Sequence, residues 1–129
     1  MRNLGIQFLV WVFFFSIPLF GGPSDPPMKI AVAAKGKTVD AQVESQGARC
    51  AWFLFFDEKG NLTEVIENPN KEKRGQAGVK CAELMAEKQV TVFVAGNAGG
   101  RLADALESAG IQFFAFIGAV KDAVTAVLK

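Results

Sequence analysis

The sequence contains no histidine among its 129 residues. A histidine general base, a histidine triad and every histidine metal ligand are therefore excluded. The chain also has little excess charge, since 14 lysine and arginine residues are balanced by 13 acidic residues, for a formal net charge of +1. Such a balance provides no strong field to attract nucleic acid or an acidic substrate. We therefore expect no nucleic-acid partner.

Only two cysteines are present, Cys50 and Cys81. They could form a disulfide, act as two soft metal ligands, or pack as two small buried apolar side chains. Cys81 shares a helical spacing with Ala77 and Leu84, which favours a position in the core. For a chain of this size, burial is the preferred interpretation of both cysteines.

The first 27 residues differ in composition from the rest. Residues 4–20 form an uncharged apolar run that follows Arg2 and precedes a segment rich in glycine and proline. A positive charge followed by an apolar run shorter than ~20 residues is typical of an export signal. We expect residues 1–27 to be a signal peptide or membrane anchor, and the protein to be exported, in the periplasm or tethered to a membrane through residues 4–20 if they are not cleaved. No A-x-A cleavage pattern is present, and the alternative is a mis-assigned start, with translation from Met28 and a cytoplasmic protein.

Residues 28–129 predict a single domain in which strands alternate with helices. Apolar runs predict strands over 29–34, 50–56, 62–67, 90–95 and 111–117, and helical spacing predicts helices over 76–88, around 102–109 and after Gly118. A hairpin followed by helix, strand, helix, strand and helix indicates a mixed α/β fold with right-handed crossovers. In the second strand, alternation places Phe53 and Phe55 on one face, and Cys50, Trp52 and Leu54 on the other.

A polar loop runs directly into that aromatic strand. Gln46, Arg49 and Cys50 place an amide, a guanidinium and a thiol within five residues, at a junction of loop and rigid element that binding residues favour. Cys50 is the candidate metal ligand, and Arg49 could bind an anionic cluster or a carboxylate and could lower the pKa of Cys50. The alternative for Cys50 is a small apolar side chain packed beside Trp52, and the alternative for Arg49 is a solvated loop charge.

Two glycine turns precede predicted helices. One contains Gly75 and Gly78, and the other contains Asn97 and Gly99. Unpaired backbone N–H groups and the helix dipole favour an anion at such positions. The expected topology places both turns and the loop at the carboxyl ends of strands, where open α/β sheets bind ligands. Together they could bind an oxyanion or an anionic cluster, although glycine turns are also ordinary architecture.

Several motifs occur in an order and spacing that match a known family. They are MKIAVAAKG at 28–36, QGARCAWF at 46–53, ENP at 67–69, GQAG at 75–78, VTVFVAGNAGG at 90–100 and ADALESAGI at 103–111. In these motifs, residues 28–129 resemble the nitrogenase accessory proteins that bind the iron-molybdenum cofactor or its precursors. The resemblance implies a ribonuclease H-like fold with a mixed five-stranded sheet and three helices.

The same resemblance implies a function and shows one departure. It implies a noncatalytic carrier of an iron-molybdenum or iron-sulfur cluster, with a cluster-assembly protein as a possible partner. In the family, the loop usually carries a histidine, an aromatic residue and a glycine before the strand. Gln46, Gly47 and Ala48 occupy those positions here, and a neutral amide binds soft metals weakly.

Two other functions compete with the carrier. One is an exported or membrane-tethered interaction module that retains the fold and has lost the cluster. The other is a nuclease of the ribonuclease H-like class, which needs clustered carboxylates to hold two metal ions. The first strand carries no carboxylate, and Asp40, Asp57 and Asp104 are scattered along the chain. We therefore expect no enzymatic activity.

Overall fold

Five strands and three helices follow the order that the sequence predicts. The structure is a computed structural model that describes residues 27–72 and 75–129. The strands are β1 (Ile30–Ala34), β2 (Trp52–Phe56), β3 (Leu62–Glu67), β4 (Val92–Ala95) and β5 (Gln112–Ala115). The helices are α1 (Ala77–Glu87), α2 (Gly99–Ser108) and α3 (Val120–Leu128), and a short 3-10 helix covers Gly47–Arg49. The expected leader, residues 1–27, lies outside the described residues except for Pro27. Within the described ranges, no helix has both the length and the apolar character needed to cross a membrane.

The strands form one mixed sheet in the order β3-β2-β1-β4-β5. Strand β2 is antiparallel to both of its neighbours, β1 and β3. Strand β4 is parallel to both of its neighbours, β1 and β5. Because β1, β4 and β5 are parallel, the segments that follow them all leave the sheet at the same end. The prediction of one small α/β domain with a five-stranded mixed sheet and three helices is confirmed.

Helices cover both faces of the sheet, as the apolar pattern on both faces of β2 predicted. Phe53 and Phe55 of β2 pack in one cluster with residues of α1 and α2, and Leu54 and Phe56 pack in a second cluster with residues of α3. All four side chains are buried, and each contributes roughly 1.5–3 kcal/mol by leaving water. The second strand is therefore the centre of a core with two layers.

Cys50 lies on the face opposite to the one that alternation predicted. The structure places it in the cluster of Phe53, Phe55 and Cys81, not with Trp52. The physical reason is that β2 begins only at Trp52, and the chain at Cys50 follows the 3-10 helix outside the strand. The alternation of side chains holds within a regular strand and does not extend back through the bend before it.

Candidate functional site

Three segments meet at the end of the sheet where β1 and β4 finish. They are the loop before β2, the turn into α1 and the turn from β4 into α2, and they enclose a cavity of about 680 Å³. We call this cavity the loop pocket. Its lining residues are Ser45, Gln46, Gly47, Ala48, Arg49, Gly75, Ala77, Gly78, Asn97, Ala98, Gly99, Gly100, Arg101 and Leu102.

The loop pocket brings together most of the site residues predicted from sequence, and leaves Cys50 out. The predicted residues that line it are Gln46, Arg49, Gly75, Gly78, Asn97 and Gly99. Their spatial convergence follows from the parallel β1 and β4, which send both following loops to the same end of the sheet. Their role as ligand-binding residues stays a prediction.

Backbone pairing fixes the loop against the turn that follows β4. Gln46 forms an isolated parallel bridge with Asn97, and the backbone N–H of Gly47 donates to the carbonyl oxygen of Asn97 at 3.2 Å. The Asn97 side chain in turn accepts a hydrogen bond from the backbone N–H of Gly99 at 2.8 Å, through Oδ1. The loop before β2 and the turn after β4 are thus joined by main-chain hydrogen bonds and not only by packing.

Two glycines permit close approach at the base of the pocket. A Cβ atom on Gly47 would lie 2.7 Å from Cε2 of Phe93, and a Cβ atom on Gly78 would lie 2.9 Å from the backbone nitrogen of Leu102. Contacts this short are not tolerated by a Cβ atom, which cannot form a hydrogen bond to relieve them. Gly47 therefore lets the loop lie on β4, and Gly78 lets the beginning of α1 contact α2.

The pocket has a positive electrostatic character. Arg49 and Arg101 line it, and none of the lining residues within 27–72 and 75–129 is an aspartate or a glutamate. The Nη1 atom of Arg49 donates to the carbonyl oxygen of Lys71 at 3.1 Å, and Nη1 of Arg101 donates to the carbonyl oxygen of Gly75. These contacts orient the two cations at the edge of the cavity.

Two helices also begin at the loop pocket. At α1, the N-cap residue Gln76 makes no side-chain capping bond. At α2, the Asn97 side chain accepts from the N–H of the first helical residue, Gly99, and the N-cap residue Ala98 adds no side-chain bond. The first N–H groups of an α-helix have no partner within the helix, and its N-terminus carries a partial positive charge. Two guanidinium groups and two helix N-termini around one cavity form an arrangement suited to an anion.

Arg101 is a pocket residue that the sequence interpretation missed. It lies in the first turn of α2, immediately after the glycine turn at 99–100. A cation in the first turn opposes the helix dipole, and that local mismatch is the signal that could have identified it. Its convergence with Arg49 is visible only in the folded chain.

The two thiols are free and buried in the core. Burial, with a smaller contribution from the neighbouring Cys81, raises the pKa of the Cys50 thiol well above its usual value. The prediction that Arg49 lowers this pKa is therefore wrong in direction, because desolvation disfavours the thiolate. Burial also raises the pKa of Cys81 to about 12. Within residues 27–72 and 75–129, no group of three or more cysteine, aspartate or glutamate side chains could hold a metal ion.

Asn68 is a second residue whose importance the sequence did not reveal. It is only 6% exposed, and its Nδ2 atom donates to the carbonyl oxygens of Ala48 at 3.0 Å and Cys50 at 2.9 Å. Its Oδ1 atom accepts from the backbone N–H of Asn70 at 2.9 Å. Asn68 therefore joins the end of β3 to the loop that forms the pocket wall.

Another cavity, also of about 680 Å³, lies at the opposite end of the sheet. Among the described residues, its charged lining consists of two carboxylates, Asp57 and Glu58, and one cation, Lys29. The helix termini beside it are the C-terminal ends of α1 and α2, represented by Ala86 and Ala109. Carboxylates and the negative ends of helix dipoles disfavour an anion. Of these two cavities, the loop pocket is therefore the one suited to an anion.

Comparison with known proteins identifies the family. Residues 28–129 match the family described as dinitrogenase iron-molybdenum cofactor. The chain belongs to this family. This finding confirms the resemblance inferred from the motifs, and it covers the whole of the described domain from Met28 onward.

Two solved structures are similar to the domain. One is the apo form of the orange protein from Desulfovibrio gigas, with a TM-score of 0.74 and 27% identity, covering 81% of this chain and 90% of that chain. The other is a NifB-type protein of the DUF35 family from Thermotoga, with a TM-score of 0.67 and 30% identity, covering 78% of this chain and 86% of that chain. No curated protein matches the sequence.

Proposed function

We propose that the protein is a noncatalytic binding or carrier protein for an anionic iron-molybdenum or iron-sulfur type cluster, which it holds in the loop pocket. The observation that carries this proposal is the convergence of Arg49, Arg101 and two helix N-termini on a cavity whose described lining includes no carboxylate. Membership of the family and similarity to the orange protein support a cluster-binding role.

The donor set indicates how such a cargo would be held. Soft metal ions in clusters prefer thiolate ligands, but the Cys50 thiol is buried and does not line the pocket. Gln46 offers only a neutral amide. The pocket instead provides N–H donors and positive charge, which can bind the outer sulfur or oxygen atoms of a cluster that carries its own negative charge. These residues are suited to hold the cluster by hydrogen bonds and charge, without a bond from the protein to a metal ion.

The remaining parts of the proposal concern the fold, the partner and the location. The hairpin followed by the parallel β1-β4-β5 half of the sheet supports a ribonuclease H-like assignment. A carrier delivers its cargo, so we propose a cluster-assembly protein as the partner. Export through residues 1–27, leaving a domain of residues 28–129, is a proposal that rests on the sequence alone.

Titration of the anaerobically purified full-length chain with tetrathiomolybdate, a molybdenum-sulfur dianion, tests the binding mode. We expect a change in the visible absorption of the ligand and a dissociation constant that rises about tenfold in Arg101→Gln or Arg49→Gln, because a hydrogen bond to a charged group is worth about 1.5–3 kcal/mol. Cys50→Ala should bind as the wild type does.

The matched control is Lys59→Gln, which removes one positive charge from the turn between β2 and β3, at the opposite end of the sheet. It should leave the dissociation constant unchanged. Two results would count against the proposal: a wild-type chain that does not bind the dianion, or a Lys59→Gln variant that weakens binding as much as Arg101→Gln. Loss of binding in Cys50→Ala alone would show that the thiol is a ligand after all.

A further inference from the structure

We propose that Asn68 is a positioning residue that makes the loop pocket suitable for an anion, by holding two loop carbonyl oxygens on the core side of the loop. This inference rests on the function proposed above and deepens it. Asn68 is absent from the pocket lining, so it acts through the loop and not by contact with the ligand.

The contacts of Asn68 use every hydrogen-bonding group of its side chain. The amide nitrogen donates to the carbonyl oxygens of Ala48 and Cys50, and Sγ of Cys50 is a third, more distant acceptor at 3.9 Å. The oxygen of the amide accepts from Asn70, and the backbone N–H of Asn68 donates to the carbonyl oxygen of Ala51 at 3.0 Å. Asn68 is therefore fixed in place by its own chain and cannot release either loop carbonyl without leaving a buried polar group unpaired.

The two carbonyls that Asn68 binds flank Arg49 in the sequence. Ala48 and Arg49 both line the loop pocket, so a change in the backbone here that released a carbonyl oxygen from Asn68 could turn it toward the cavity. A carbonyl oxygen carries partial negative charge, and one turned toward the pocket would repel an anionic ligand. By accepting hydrogen bonds from a buried side chain, both oxygens are directed away from the pocket, and the backbone that carries the Arg49 guanidinium is fixed at the same time.

The chemistry requires an amide at this position. An aspartate has the same shape but no N–H to donate, an alanine has neither shape nor donor, and a serine can donate to only one of the two carbonyls. The order of ligand affinity should therefore follow the number of donors, with wild type strongest, Asn68→Ser intermediate and Asn68→Ala weakest.

The experiment measures tetrathiomolybdate binding and thermal unfolding of the full-length chain in parallel. Binding is measured well below the unfolding temperature of every variant, so that the unfolded fraction is negligible. Asn68→Ala should raise the dissociation constant at least tenfold, and Asn68→Ser should raise it by less. The control is Met85→Ala, which opens a cavity at a fully buried site near the end of α1 remote from the pocket. It should lower the unfolding temperature without changing the dissociation constant.

Each outcome separates this inference from the function on which it rests. A wild-type chain that does not bind overturns the proposed function and this inference with it. Binding by wild type with unchanged affinity in Asn68→Ala, or with equal losses in Asn68→Ala and Met85→Ala, overturns this inference alone. If neither Asn68 variant folds, hydrogen exchange of the Asn68 side-chain amide in the wild type decides the matter. Protection retained at ligand saturation supports the role, and protection lost on binding overturns it.

Discussion

The close approach of α1 and α2 at Gly78 predicts that an alanine substitution there lowers the stability of the fold. The same substitution at Gly100 should not lower it. Gly78 is the second residue of α1. A Cβ atom there would lie 2.9 Å from the backbone nitrogen, 3.2 Å from the Cα and 3.3 Å from the Cβ of Leu102. Two of these three atoms belong to main chain inside α2, so rotation of a side chain cannot relieve the contact. In Gly78→Ala, the two helices must move apart.

The magnitude follows from two opposing terms. Overpacking in a well-packed core costs about 1–3 kcal/mol, whereas replacement of glycine by alanine inside a helix stabilises by roughly 0.5–1 kcal/mol. The net loss for Gly78→Ala is therefore about 0–2.5 kcal/mol, with a central value near 1 kcal/mol. Since about 1 kcal/mol shifts the unfolding temperature of a domain of this size by roughly 4–8 °C, we expect a decrease of several degrees.

Gly100→Ala is the matched control, because Gly100 is the second residue of α2. A Cβ atom on Gly100 would meet nothing within 4 Å, so only the gain in helix propensity remains. The unfolding temperature of this variant should stay the same or rise. The assay is thermal unfolding followed by circular dichroism for wild type and both variants. Equal changes of the same sign in the two variants would refute the argument from close packing.

Two further predictions concern the thiols and the N-terminal segment. Because burial raises the pKa of Cys81 from 9.0 to about 12, the unfolded chain loses this proton first. Its contribution to stability is complete below about pH 9, and falls by about 1.4 kcal/mol per pH unit as the pH rises toward 12. Urea unfolding at pH 8 and pH 10 should show this loss together with that of Cys50, whose pKa burial also raises. The loss should be smaller in Cys81→Ala than in the wild type, and an equally steep loss in that variant would contradict the assignment to the Cys81 thiol. For the N-terminal segment, mass spectrometry of the chain from cells should find a mature N-terminus shortly after Ser24 or an intact membrane-bound chain. A soluble cytosolic chain that begins at Met28 would contradict export.

The regular elements were predictable because local pattern decides them. The apolar runs of β1 and β4, and the helical spacing of Ala77, Cys81 and Leu84, indicate their structures without reference to distant residues. The meeting of the loop with the two glycine turns was predictable for a different reason. Parallel strands place the segments that follow them at one end of a sheet, so topology alone brings Gln46 near Asn97.

Prediction failed where the chain is irregular. The alternation of β2 does not reach Cys50, because Cys50 lies directly after a 3-10 helix and a bend at Ala51 precedes the start of the strand at Trp52. The contacts of Asn68 with the loop join residues that lie 18 and 20 positions apart. No periodic rule gives the orientation of a side chain after the last residue of a strand, so the role of Asn68 could not be inferred from its place in the sequence.

The sequence by itself determined that no imidazole is available to bind a metal, since a missing residue type is missing in every fold. It also determined the family, because that depends on the order of motifs along the chain. Only the tertiary structure decided that the Cys50 thiol packs in the core while Arg49 and Arg101 line one cavity. The physical reason is that burial and charge convergence depend on which surfaces meet when helices and loops pack on the sheet. Local sequence does not specify those packing contacts.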